Sequence, residues 1–271
     1  VTLAANITID TDSTSNNGAV TFTTTVDGEK TLTITSGSGA VEFGGNIGAT
    51  TALSDLTVNS SAGTGAITFS GNVGTSTAAG AAAVAIGNAD TASITFAGVE
   101  FTSSGAQTFI ADAYSITGAD STFATSNANI TFTDGGADGG ITLADIADLT
   151  LSTELGSSGG GNIAVNVPIA GTAGDGDDAT DVTMTAGSGT ISIEDISTDI
   201  NDVLLTSTGG ISLDGSITTA VDSDETGATS GVVTLTGPVT LAGNTTIDTD
   251  STSNNGAVTF TSTVDGFKTL T

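Results

Sequence analysis

The chain has 271 residues, of which 2 are Lys or Arg and 30 are Asp or Glu, giving a formal net charge of -28, and it contains no His, Cys or Trp. Nucleic acid is excluded as a partner, because neutralising a phosphate backbone and releasing its counterions needs many cationic side chains. Anionic membrane surfaces are disfavoured on the same ground, no run approaches the ~18 apolar residues of a membrane span, and without cysteine there are no disulfides, thiolate catalysis or zinc fingers.

The remaining composition points to an all-β chain. Glycine is abundant at 38 residues and aromatic residues make up only 4%. Thr, Val and Ile favour pleated structure, whereas the helix formers Lys, Arg, Glu and Gln are scarce. Hydrophobic residues reach 37% and fall in short alternating runs, a pattern a disordered chain has no reason to keep. No leader precedes Val1, so the expectation is either a removed signal or an internal piece of a longer chain.

In chain order, the first signal is a long repeat. Residues 1–33, VTLAANITIDTDSTSNNGAVTFTTTVDGEKTLT, return at 239–271 as VTLAGNTTIDTDSTSNNGAVTFTSTVDGFKTLT, an offset of 238 with 29 of 33 positions identical. The changes are Ala5 to Gly243, Ile7 to Thr245, Thr24 to Ser262 and Glu29 to Phe267. The expected organisation is one full unit over 1–238 and the start of the next tandem unit over 239–271, with no separate globular domain.

Inside the unit a shorter motif recurs, a Gly or small polar residue followed by an alternating apolar pair. Its lead residues are Val20, Val41, Ile67, Ile94, Ile130, Ile141, Ile163, Ile191, Ile211, Val233 and Val258, spaced by 11 to 36 residues. The irregular gaps beside Ile130 mark one anchor there as misplaced. Two short strands follow most anchors: Val26 then TLTIT, Ile47 then LTVNS, Val73 then VAIG, with Tyr114, Leu149, Val182 and Val203 opening later third strands. Strands with one apolar face, returning every twenty-odd residues with Gly, Asn and Asp at the corners, describe a parallel β-solenoid (β-helix) with three short strands per coil and about ten coils per 238-residue repeat. Ten coils at the strand spacing of about 4.8 Å would rise about 48 Å. Phe22, Phe43, Phe69 and Phe96 hold one place after their anchors and should stack inside, while Glu29 and Phe267 should share a solvent-facing corner.

The segments GAVTFTTTVDGEKTLTITSGS, GAITFSGNVGTSTA and GTISIEDISTD resemble the β-strand-rich repeats of giant bacterial surface proteins of the filamentous-haemagglutinin and autotransporter-adhesin type. The resemblance covers nearly the whole chain. It implies a right-handed solenoid, secretion to the cell surface, and a structural role as filament, stalk or adhesin. The implied partners are copies of itself, end to end or as tandem repeats in one giant chain, together with cell-surface or carbohydrate surfaces.

Enzymatic function is not expected. Some β-helices cleave polysaccharides, but such sites pair carboxylates with a cationic stabiliser and aromatic sugar platforms, and here Arg, His and Trp are absent while the two lysines, Lys30 and Lys268, are one repeat position seen twice. Calcium is the better chemistry, since it takes oxygen ligands from Asp, Asn and carbonyls in loops. The candidate ligands are Asp10, Asp12, Asn16 and Asn17, returning as Asp248, Asp250, Asn254 and Asn255; Asp134 and Asp138; Asp175, Asp177, Asp178 and Asp181; and Asp222, Asp224 and Glu225. None completes an EF-hand or a β-roll nonapeptide, and the competing reading is that Asp and Asn occupy corners because they tolerate turn conformations. A flat Thr ladder for binding ice is not expected to line up between coils. The Gly-rich stretches at Leu155 and Asp134 read as turns, since a phosphate cradle needs a following helix.

Overall fold

The computed structural model describes residues 1–14, 17–136, 139–145, 147–156, 159–172, 180–197, 199–219, 231–249 and 255–271. Every regular element in it is a β-strand. Apart from two isolated antiparallel bridges, neighbouring strands pair in parallel, each with the strand one coil away. The chain is a parallel β-solenoid whose coil has three faces.

The first face stacks Ile7–Asp10, Thr31–Thr35, Leu53–Val58, Ala81–Gly87, Gln107–Ala111, Ile130–Asp134, Ile163–Asn166, Ile191–Ile193, Ile211–Leu213, Val239–Leu241 and Val264–Asp265. The second stacks Val20–Phe22, Val41–Phe43, Ile67–Phe69, Ile94–Phe96, Tyr114–Ile116, Ile141–Leu143, Ile169–Gly171, Ile196–Ser197, Ile217–Thr218 and Ile247–Asp248. The third begins as single bridges, Thr2 to Asp27, then Val26 to Ile47 to Val73 to Phe101. It continues as the strands Glu100–Ser103, Asp120–Thr125, Asp148–Ser152, Val182–Gly187, Val203–Ser207, Val233–Thr236 and Val258–Phe260.

Alternation along each strand sends one residue in and the next out. In Thr31–Thr35 the buried residues are Leu32 and Ile34, with the threonines between them half-exposed. The core is therefore a set of columns running up the axis. On the second face Phe22, Phe43, Phe69 and Phe96 stack as expected, with successive ring centroids 5.3, 5.0 and 5.7 Å apart and planes within 9° of parallel. Phe101 stacks on Phe123 on the third face and Phe109 on Phe132 on the first, both at 4.8 Å. The three stacks meet at Phe96, which presents its ring to the edges or faces of Phe101, Phe109 and Phe123.

A large buried polar residue interrupts one of these columns. Gln107 follows Leu32, Leu56 and Val84 in the first-face register and is 1% exposed. Its Nε2 donates to the carbonyls of Phe101 and Ala124, at 2.8 and 3.0 Å, closing the corner between the third and first faces, while its Oε1 is buried without a hydrogen-bond partner. Gln107→Leu would restore the apolar column but leave two buried carbonyls without that donor. Two such hydrogen bonds are together worth about 1–3 kcal/mol, so the variant should be destabilised in urea unfolding despite its greater hydrophobicity. A variant as stable as the parent would show that the amide is dispensable there.

Outward Thr residues do align between coils, contrary to expectation, but only in short columns. Thr8, Thr33 and Thr57 align on the first face until Ala85 interrupts, and Thr122, Thr150 and Thr183 align on the third until Leu204 does.

Two expectations about the coil need adjusting. The anchors do not keep to one face: Val20, Val41, Ile67 and Ile94 lie on the second, Ile130, Ile163, Ile191 and Ile211 on the first, and Val233 and Val258 on the third. Tyr114, Leu149, Val182 and Val203, expected on one shared face, divide between the second face (Tyr114) and the third. Following the first face from Ile7 to Val239 takes nine coils, so a 238-residue unit spans nine coils and one further face, close to the ten expected. At about 4.8 Å per coil that is a rise of about 45 Å.

Candidate functional site: the acidic corners

The corners of the coil must satisfy backbone N–H groups that the strand ladders leave over. Here Asp and Asn side chains reach from one coil to the next. Asp27 Oδ1 accepts from the backbone N–H of Thr50 and Thr51 at 2.9 and 3.2 Å, Asn46 from Asn72, and Asn72 from Val99. Asn129 accepts from Asn162, and Asn162 from Thr190. A third run is acidic: Asp148 accepts from Asp181, Asp181 from Asp202, and Asp202 from Val232.

This explains Asp181, one of the candidate calcium ligands. Its Oδ1 is 2.9 Å from Asp202 N and 3.2 Å from Asn201 Nδ2, and the residue is half-buried. Burial pushes its carboxyl above the ordinary aspartate range; the hydrogen bonds from Asp202 N and Asn201 oppose that rise, and the charge of Asp202 adds to it. Asp181 serves as a rung between coils.

The side chains of Asp10 and Asn17 are used locally in a similar way. Asp10 Oδ1 accepts from Asp12 N at 3.0 Å, Asn17 Oδ1 accepts from Ser13 N at 2.7 Å, and Asn17 Nδ2 donates to Ser38 Oγ at 3.1 Å. These are turn-forming bonds of the kind Asx side chains make. Asp248 sits on the second face, in the strand Ile247–Asp248, with Asn255 just before the strand Val258–Phe260.

Asp134 has different surroundings. It ends the strand Ile130–Asp134 and lines a surface groove with Gly139, Asn166, Val167, Pro168 and Glu194. Its Oδ1 is buried without a hydrogen-bond partner. Burial raises the Glu194 carboxyl above the usual glutamate range, and the charges of Asp214, Asp195 and Asp134 push it further the same way. Glu194 was not among the candidates, because GTISIEDIS reads as an ordinary strand end; its meeting with Asp134 depends on the stacking of coils.

The candidates Asp138, Asp175, Asp177, Asp178, Asp222, Asp224 and Asp250, with Asn16, Glu225 and Asn254, lie outside the described residues. Among the described residues, no three acidic, His or Cys side chains cluster closely enough to hold a metal ion, and no helix is long and apolar enough to cross a membrane.

Fold and corners together define a parallel β-solenoid held by internal apolar columns and by Asp and Asn rungs between coils. The chain matches no protein-family model, no curated protein and no solved structure at a significant level.

Proposed function

We propose that this chain is a structural extracellular repeat protein, a length of stiff filament or adhesin stalk at a bacterial cell surface, acting by mechanical continuity and not by catalysis. The observation that supports it most is that, among the described residues, the two copies of the 33-residue repeat make the same strand pairings and corner hydrogen bonds. Thr2 pairs with Asp27 as Thr240 does with Asp265, and Ile7 with Leu32 as Thr245 does with Leu270. The Asn6 and Asn244 side chains accept from Thr31 N and Thr269 N at 3.1 and 3.2 Å. Gly28 and Gly266 both have φ near +130°, and in each a Cβ would lie 2.7 Å from the carbonyl oxygen of Leu3 or Leu241, so only glycine fits. Glu29 and Phe267 are both exposed, so their difference in character costs the corner little. A repeat that keeps its conformation lets units add without a break, and each gains stability from its neighbour.

Tandem chains of increasing unit number should appear by electron microscopy as straight rods lengthening by about 45 Å per unit. An antibody against the chain should label intact cells of the source bacterium. Compact particles of constant length, or labelling only after lysis, would sink the reading. Other copies, cell surfaces and carbohydrate are the partners it implies.

A second reading, a calcium-dependent binding or adhesion module, is favoured by the groove that Asp134 and Glu194 line, where Asp134 Oδ1 is buried without a hydrogen-bond partner. The plain rod requires an unchanged melting temperature when calcium is added or chelated. A calcium-dependent rise that Glu194→Gln abolishes would favour the second reading.

A further inference from the structure

Where they are described, the two copies of the repeat share their strand pairings but occupy different faces. Val1–Leu3 lie on the third face and Val239–Leu241 on the first. Ile7–Asp10 lie on the first and Ile247–Asp248 on the second. Val20–Phe22 lie on the second and Val258–Phe260 on the third, while Val26 is on the third and Val264 on the first. Every element of the second copy has moved on by one face in the direction of the chain. We infer that consecutive units dock coil on coil with a rotation of one face, a third of a turn, so that a given side of the unit returns to the same side of the rod only at every third unit.

The exposure of the two copies supports continuous docking. Val1, covered by a coil on one side only, is 57% exposed, whereas Val239, between Ile211 and Val264, is 1% exposed. Ile7 is 36% exposed and its counterpart Thr245 is 1%. The opposite holds at the other side: Val26 and Leu32 are fully buried, while Val264 and Leu270 are 37% and 39% exposed. Each of these positions left open in one copy is covered in the other, so the described residues of the second copy, paired with the coil before them, show how residues of the first copy would sit on a preceding unit. The apolar surface at each end of the coil stack is what such docking removes from water. The rotation is tolerated because all three faces bury the same kind of side chain, Val on Ile at Ile211 to Val239, Ile on Ile at Ile196 to Ile217 and Val on Val at Val203 to Val233.

The consequence is multivalent display. Ile7–Asp10 on the first face is followed by Val20–Phe22 on the second, and in the second copy Ile247–Asp248 on the second face is followed by Val258–Phe260 on the third. Any side feature of the unit is therefore offered to all three sides of the rod in turn, every ~45 Å, and to one side every ~134 Å.

This inference rests on the tandem filament reading but can fail separately from it. The test extends Thr271 with residues 34–271, twice, which continues the repeat without a seam, and reads the coils by cryo-electron microscopy. The expected result is one uninterrupted solenoid whose Glu29-equivalent corners step by a third of a turn between units. Units that stack in phase would overturn the rotation while leaving the filament intact, and separate beads would overturn the docking itself. A continuous rotated rod from a protein found inside the cell would keep the inference and discard the surface function.

Discussion

Replacing Phe96 by alanine should cost about 3–5 kcal/mol, the range for deleting a buried phenylalanine and leaving its cavity. The effect should be large because Phe96 joins all three aromatic columns: it stacks on Phe69 below it on the second face and meets Phe101, Phe109 and Phe123 from the other two. Every neighbour is itself confined to a column, so the coil has little freedom to collapse into the gap. Phe22→Ala should cost distinctly less, since that ring contacts only Phe43 among the aromatic residues and is half-buried. Equal losses for the two variants in denaturant unfolding would show that the columns do not converge energetically where they converge in space.

Mild acid should stabilise this protein, contrary to the usual acid denaturation. Among the described residues the carboxyls whose titration is displaced are those of Asp181, Glu194 and Glu100, each raised above its ordinary value, chiefly by burial. A carboxyl raised in the fold is protonated more readily there than in the unfolded chain. Its stabilising contribution is therefore complete below the unfolded values of 3.8 for Asp and 4.5 for Glu, and is lost as pH rises through the folded value. Lowering the pH from neutrality toward about 4 should accordingly raise the melting temperature, and relief of self-repulsion in a chain of net charge -28 acts in the same direction. Asp181→Asn keeps an oxygen to accept from Asp202 N while removing the charge. It should raise the melting temperature at neutral pH and flatten the pH profile. A lower melting temperature in acid, or a loss of stability in Asp181→Asn at neutral pH with the slope unchanged, would contradict this account.

Why Asp181 was legible as a candidate and not as a rung follows from chemistry. A carboxylate at a loop corner offers the same oxygen to a cation or to a backbone N–H of the next coil, and only the position of that coil chooses between them. Asp148, Asp181 and Asp202 are separated by 33 and 21 residues, so nothing local announces that they form one run of inter-coil bonds. Glu194 and Asp134 meet for the same reason, through stacking that brings distant strand ends to one corner.

The sequence by itself determined the class of structure. Alternating Val, Ile, Leu and Phe against Thr, with Gly, Asn and Asp between, is compatible with short parallel strands and little else, and the equal placement of Phe22, Phe43, Phe69 and Phe96 foretold their stack. It also determined the tandem unit, through the return of residues 1–33. Only the tertiary structure decided which face each motif occupies. All three faces bury the same aliphatic side chains and turn the same threonines outward, so a Gly-led apolar pair carries no mark of its face. The anchors from Val20 to Val258 consequently drift through all three faces. What assigns a strand to its face is the length of the preceding connection and the hydrogen bonds to the coil beneath, and those give nine coils and one face per unit and turn the second copy away from the first.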